Sequence, residues 1–214
     1  MLLPTGKEPQ VGPTIVQAVP QRLPLAEAYH DSLATDGSTR GFIGPREVDR
    51  LWERHILNCA VIGEVMEHGA TVADVGSGAG LPGIPLAIAR PDLDITLIEP
   101  LLKRSVYLQE VVDKLGLPNV TVIRARAEDT PLPEPVDIVT SRAVAPLGKL
   151  AGWSLPLVRR GGEMIAMKGS SVGEELERDA ALIRKAGGGR ASISTVGDAH
   201  LAEPTTIIRV PRVH

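Results

Sequence analysis

The sequence predicts an α/β fold: a seven-stranded doubly wound sheet with an N-terminal helical extension. Three observations carry this. From Thr71 onward, short apolar runs alternate with longer helical stretches, the pattern of a parallel sheet covered on both faces. Ahead of Thr71 the apolar residues recur at helical spacing. The first apolar run, Thr71-Val72-Ala73, passes directly into Asp74-Val75-Gly76-Ser77-Gly78-Ala79-Gly80, an acid and alternating glycines at a strand-to-helix corner where backbone must approach a ligand closely.

The elements follow in order. Pro4, Pro9, Pro13, Pro20 and Pro24 are spaced so as to forbid a continuous helix, so residues 1–22 are expected to form an extended or flexible tail. A first helix is expected over Leu23 to Leu33, with Gly37 and Gly41 in the linker behind it. Pro45 opens an amphipathic helix to about Met66, with Val48, Leu51, Trp52, Ile56, Leu57, Val61 and Val65 on its apolar side. Residues 23–68 thus form a helical cap and residues 69–214 the sheet domain, in one compact unit. Strands are expected at 71–75, 94–98, 120–124, 136–140, 162–168, 191–196 and 205–210, and helices near 82–90, 101–115, 143–158 and 173–187. In such a sheet the ligand sits beyond the carboxyl ends of the strands, at the switch point of the strand order.

Composition narrows the classes. A formal net charge of −3 over 214 residues argues against holding nucleic acid by bulk charge, although a local basic face is compatible with it. Phe42, Tyr29, Tyr107, Trp52 and Trp153 are the only aromatics, too few for a surface that stacks successive bases. The single cysteine, Cys59, excludes an internal disulfide and a zinc cluster, and it reads as a small buried hydrophobe in a protein of a reducing compartment. No run reaches the length of a membrane span, and the N-terminus lacks the basic-then-apolar arrangement of a secretory signal. The expectation is a cytoplasmic monomer with no metal.

Two acids sharpen the glycine corner. Glu99 closes the second strand and lies about 20 residues past the glycines, where a carboxylate accepts both hydroxyls of a ribose. Glu128, in Arg126-Ala127-Glu128-Asp129 after the third strand, stands where a side chain edges an adenine. Asp74, Gly76, Gly78, Gly80, Glu99, Ala127 and Glu128 together resemble the class I S-adenosylmethionine-dependent methyltransferases. A dinucleotide fold would place the third glycine one residue later, and Asp74 would repel a pyrophosphate but suit a cationic methionine end. A nicotinamide-dependent oxidoreductase and a non-enzymatic RNA-binding module are the rival classes.

The resemblance narrows further. Trp52-Glu53-Arg54-His55-Ile56-Leu57-Asn58, the run from Asp74 to Ala87 with its Gly80-Leu81-Pro82-Gly83-Ile84-Pro85, Arg126-Ala127-Glu128, Ser141-Arg142-Ala143-Val144-Ala145 and Met167-Lys168-Gly169 are similar to the glucose-inhibited division protein B (GidB) family. The likeness runs from about Leu23 to Val210. It implies an enzyme that uses S-adenosylmethionine to methylate N7 of a guanine in the decoding-region loop of 16S rRNA, on naked RNA or on a small-subunit particle. It also implies that Gly76, Leu81, Ala127, Glu128 and Arg142 occupy cofactor-contacting positions. Asp74, Gly78 and Glu99 join them on the class I pattern. Gly41-Phe42-Ile43-Gly44 stands where many relatives read Asn-Leu-Thr, so the resemblance assigns that loop no role.

The chemistry agrees with what the sequence omits. N7 of guanine carries a lone pair and no proton, so attack on a sulfonium methyl needs alignment more than a general base, and no catalytic base is assigned. Amine methylation would favour an Asn/Asp-Pro-Pro-aromatic segment after the fourth strand, where Thr140-Ser141-Arg142-Ala143 stands instead. Methylation at cytosine C5 would need a thiolate nucleophile there, and Cys59 lies in the cap. Arg142 and Lys168, with Arg124 and Arg126, are expected at the pocket mouth as substrate contacts, and Lys103, Arg104, Lys149, Arg159 and Arg160 as an extension of that face. Arg142 alternatively grips a cofactor carboxylate. His55 and Asn58 share one side of the cap helix, where a packing role is as good a reading as a functional one.

Overall fold

The computed structural model describes residues 15–214, with side chains from residue 22. Seven strands form one sheet: β1 Thr71–Val75, β2 Asp94–Ile98, β3 Val120–Ile123, β4 Val136–Arg142, β5 Val158–Met167, β6 Ser192–Val196 and β7 Thr205–Pro211. The order is β3-β2-β1-β4-β5-β7-β6, with β7 antiparallel to both neighbours and the remaining pairings parallel. The chain reverses its direction of growth between β1 and β4, so the open crevice lies over their carboxyl ends.

Alternation along each strand sorts the two faces. Val72, Ile95, Leu97, Ile165 and Ile207 pack into one core cluster with α1 Ile15–Ser32, the cap, α3 Gly83–Ala89 and α4 Leu102–Leu115. Met164, Ala166, Ile208 and Val210 point the other way, against α5 Leu147–Ser154 and α6 Val172–Lys185. Ala73, Val75, Ile98 and Val139 fill a third cluster on that same side of the central strands. Gly116 ends α4 in the left-handed region at φ 59°, as the αL cap requires.

The cap differs most from the expectation. The segment from Pro45 to Val65 is helical but not one α-helix: it passes through 3-10 Pro45–Arg50, π Leu51–Leu57, α2 Asn58–Ala60 and 3-10 Val61–Val65. Its apolar positions still reach the core, since Leu51, Ile56, Val61 and Ile62 are buried there. Burial of these side chains outweighs regular winding, and changes of winding aim each at the sheet. The first helix also starts earlier than the prolines suggested. It runs through Pro20 and Pro24, each of which removes one N–H donor without ending it. Tyr29 and Leu33, fully buried, anchor its far end. Residues 15–22 of the predicted 1–22 tail thus belong to this helix, and residues 1–14 lie outside the described residues. Among those described, no helix is long and apolar enough to cross a membrane.

Arg90, just past α3 and 4 % exposed, ties the cap to the sheet. Its guanidinium pairs with Asp92 at 2.7 Å and donates to the carbonyls of Gly63, Met66 and Glu67, the last turn of the cap. Arg90→Ala strips the half-buried Asp92 carboxylate of its cation, leaving it Gly69 N–H alone, takes the guanidinium donors from three carbonyls, and is expected to cost about 3 kcal/mol. Urea unfolding checks this.

Candidate active site

The glycine corner is built by hydrogen bonds that turn β1 back over its neighbours. The N–H groups of Gly76 and Ser77 both donate to the Ile98 carbonyl, at 2.9 and 3.1 Å, and the Ser77 hydroxyl donates to the Asp74 carbonyl at 2.9 Å. Gly76, Gly78 and Gly80 take φ of 71°, 60° and 100°, where a side chain is strained. A Cβ on Gly76 would also meet Val144 at 2.6 Å. The corner therefore keeps bare backbone facing the crevice.

A cleft of about 600 Å³ opens over this corner, lined by Gly76, Ser77, Gly78, Ala79 and Leu81, by Glu99, Pro100 and Leu101 after β2, and by Arg142, Ala143 and Val144 after β4. Phe42, Ile43, His55 and Arg104 close it from the cap and α4. Glu99 is buried to 2 % exposure, and its two oxygens accept from the N–H groups of Gly78 and Leu101, both at 2.9 Å. Each oxygen keeps a further lone pair toward the cleft, the arrangement a vicinal diol requires. Five expected positions, Gly76, Gly78, Leu81, Glu99 and Arg142, thus meet in one place.

Three others lie outside the lining of this cleft. Asp74 is fully buried, with Oδ2 accepting from Gly83 N–H at 3.0 Å and Oδ1 without a partner. It shares the strand face of Val72, so its side chain points under the corner at α3 rather than toward a methionine end. Ala127 is buried in the third core cluster, and Glu128 is exposed on the 3-10 turn Ala127–Asp129. The basic residues also divide. Arg124 and Arg126 are exposed just past the end of β3, on the cleft side, whereas Arg159 and Arg160 begin β5 at the opposite end of the sheet, with Arg159 paired to Asp137.

Lys168 and Arg142 line a second cavity of about 710 Å³, with Glu47, Arg54, His55, Asn58, Glu175 and Glu203 among its walls. The Lys168 ammonium is held by Glu175 at 2.8 Å and the Ala145 carbonyl at 3.0 Å, while Glu175 also accepts from Leu147 N–H at 2.9 Å. That lysine fastens the segment after β4 to α6. His55, Arg142 and Ala143 belong to both cavities and form the partition between them. Ala143 sits at φ 54°, so the turn after Arg142 is forced into the left-handed region.

Comparison with known proteins settles the family. The family model described as rRNA small subunit methyltransferase G, GidB, matches residues 22–202. The chain belongs to the GidB family. A GidB relative named ribosomal RNA small subunit methyltransferase G, from Corynebacterium glutamicum strain R, is 69% identical over 94% of this chain and 91% of its own. The one from Corynebacterium diphtheriae is 72% identical over 88% of this chain and 85% of its own. Among solved structures, a SAM-dependent methyltransferase from Aquifex aeolicus matches at TM-score 0.56 and 21% identity, covering 80% of this chain and 100% of its own. M. jannaschii TYW2 in complex with AdoMet matches at TM-score 0.57 and 19% identity, covering 74% of each chain. The fold is that of the S-adenosylmethionine-dependent methyltransferases, and family and fold agree on the cofactor expected from the sequence.

Against GidB motifs, the cleft residues to which the sequence reading gave no firm role are His55, Phe42 and Ile43, and Arg104, expected only on the basic face, also lines the cleft. The signals for His55 were the family segment Trp52 to Asn58 and the helix side it shares with Asn58. Phe42 and Ile43 occupy the loop to which no role was assigned, and they wall the cleft.

Burial raises the Asp74 carboxyl to about 7, against about 3.9 for a free Asp. The folded state therefore holds this proton where the unfolded chain has lost it, so its contribution to stability falls as pH rises from about 4 to about 7. Asp74→Asn is expected to flatten that part of the stability profile, read from thermal melts across this window.

Proposed function

We propose that this chain methylates N7 of a guanine in the decoding-region loop of 16S rRNA, with S-adenosylmethionine as donor and naked RNA or a small-subunit particle as substrate. The names of its relatives support the rRNA substrate, and the chemistry of the partition between the two cavities supports the N7 acceptor. S-adenosylmethionine supplies a methyl group on a cationic sulfur. The chain's residues hold and orient: Glu99 accepts from the ribose hydroxyls, the backbone of Gly76 and Gly78 permits close approach, and Leu81 supplies apolar wall. Ala127 and Glu128 keep their proposed place at the adenine, on the turn after the strand next to Glu99.

One observation carries the choice of acceptor. The imidazole on the partition is not free to act as a base toward substrate near neutral pH, because both its nitrogens are engaged. Arg142 has only donors, so its Nη2 must donate to His55 Nδ1, at 2.6 Å, and the other nitrogen, Nε2, then carries the hydrogen and donates to Glu47 at 2.7 Å. Burial lowers the His55 pKa, which favours this neutral form. A site whose only central imidazole is occupied suits a nucleophile that has no proton to lose, as N7 has. Guanine also presents O6 beside N7 as an acceptor for a guanidinium, and N1–H and N2–H₂ as donors for a carboxylate such as Glu203 in the second cavity. The proposal extends to a monomer that needs no metal.

The test is mass spectrometry of 16S rRNA from cells lacking the protein. N7-methylguanosine in the decoding loop is expected to disappear and to return on complementation; its persistence sinks the reading.

A further inference from the structure

Arg142 stands on the partition between the two cavities, and its orientation is not left to solvent. Nη2 is tied to His55 at 2.6 Å, Nη1 donates to Cys59 Sγ at 3.4 Å, and His55 is in turn held by Glu47 at 2.7 Å. Five N–H groups belong to a guanidinium, so two such ties fix the plane and leave three donors for ligands. Cys59 is fully buried, and burial pushes its thiol up to about 11, so it stays a neutral acceptor. His55 is 7 % exposed, whereas the Glu47 side chain is 34 % exposed at the start of the chain of contacts.

We infer that Glu47 is a positioning residue: through His55 it fixes Arg142 on the wall shared by the cofactor cleft and the second cavity, and a proton on His55 releases it. This rests on the reading of that wall as the methyl-transfer site. The logic is one of proton placement. Arg142 needs a lone pair on Nδ1, and Glu47 supplies an acceptor for the hydrogen on Nε2, so the carboxylate selects the one tautomer that serves the arginine. Protonation of Nδ1 removes the acceptor and sets a second cation against the guanidinium.

The groups facing His55 decide the direction of any pH effect. Burial is the largest influence and lowers its pKa; Glu47 raises it; Arg142 and Arg54 lower it. Cys59 touches Arg142 from the far side. Removing the Glu47 charge while keeping an acceptor therefore makes His55 harder to protonate. Glu47→Gln is expected to shift the acid limb of kcat/KM to lower pH and to keep the plateau. Glu47→Ala loses the acceptor as well, and its plateau is expected to fall by about tenfold to a hundredfold, the scale of a misplaced binding group.

Nitrogen-15 spectra of the full-length protein read the same device without any methyl transfer. Near neutral pH, His55 is expected as the neutral Nε2–H tautomer in the wild type and in Glu47→Gln, and as a mixture in Glu47→Ala. Kinetics on small-subunit RNA then supply the pH profiles. An Nδ1–H or doubly protonated His55 in the wild type overturns the proposal, and so does an acid limb that stays in place in Glu47→Gln. A plateau in Glu47→Ala equal to that of the wild type overturns it too. Should the wild type transfer no methyl to guanine N7, that failure belongs to the functional reading. The positioning role is then decided by the tautomer and by the affinity for S-adenosylhomocysteine, which Glu47→Ala is expected to weaken and Glu47→Gln to leave within about twofold of the wild type; equal affinity in Glu47→Ala overturns it.

Discussion

Glu99→Ala is expected to weaken S-adenosylhomocysteine binding by about a hundredfold or more in a calorimetric titration. The carboxylate has two tasks that no neighbour duplicates. It accepts from Gly78 and Leu101 N–H, which holds the glycine corner against the end of β2, and it turns its remaining lone pairs to the cleft. Hydrogen bonds to a charged group contribute about 1.5–3 kcal/mol each, so losing two ribose hydroxyls costs about 3 kcal/mol before any loosening of the corner. A factor of ten is about 1.4 kcal/mol, which sets the hundredfold. Glu128→Ala, at an exposed position, is expected to cost about fivefold. Wild-type affinity in Glu99→Ala would remove the cleft from consideration as a ribose site.

Gly83→Ala is the substitution expected to destabilise the fold most among the glycines of the corner. A Cβ at this position would lie 2.2 Å from Leu97 Cδ2 and 2.8 Å from Asp74 Oδ2, and both neighbours are fully buried. Overpacking a tight core costs about 1–3 kcal/mol. The hydrogen bond from Gly83 to Asp74 is strained at the same time, which threatens a buried carboxyl with the loss of its one partner there and adds about 1–3 kcal/mol. A total of about 2–6 kcal/mol is readable by urea unfolding. Gly152→Ala is the control: nothing lies within 4 Å of a Cβ there and the residue is inside α5, so the change is expected to be neutral or mildly stabilising.

The parts of the molecule that were legible in the sequence are those set by local chemistry. β1 and β2 span the residues expected of them, because strands covered on both faces show mostly apolar runs bounded by turn residues. The glycine corner was legible because three positive φ angles in five residues leave few alternatives to glycine. The cap was legible as helical but not as irregular. Nothing in the spacing of Leu51, Ile56 and Val61 distinguishes a regular helix from one that changes winding to seat each side chain in the core.

Asp74 illustrates a different gap. An acid at a strand end reads as a ligand, yet the two faces of β1 look alike in sequence, and its side chain went to the α3 face. The partition between the cavities was invisible for a third reason. His55 and Arg142 are 87 positions apart, and only the closing of the cap over β4 brings them to 2.6 Å. Glu47, 8 residues before His55, reaches it only because the segment between them folds as a 3-10 turn and a π turn.

Methyl transfer itself is tested most directly by incubating the purified protein with small-subunit particles from cells lacking it, using S-adenosylmethionine labelled with carbon-13 in the methyl group, and mapping the product by mass spectrometry. The expected result is one labelled methyl per particle at N7 of a guanine in the decoding-region loop, absent when Glu99→Ala replaces the wild type. Label on another atom or another base, or a wild-type protein that transfers none, would contradict it.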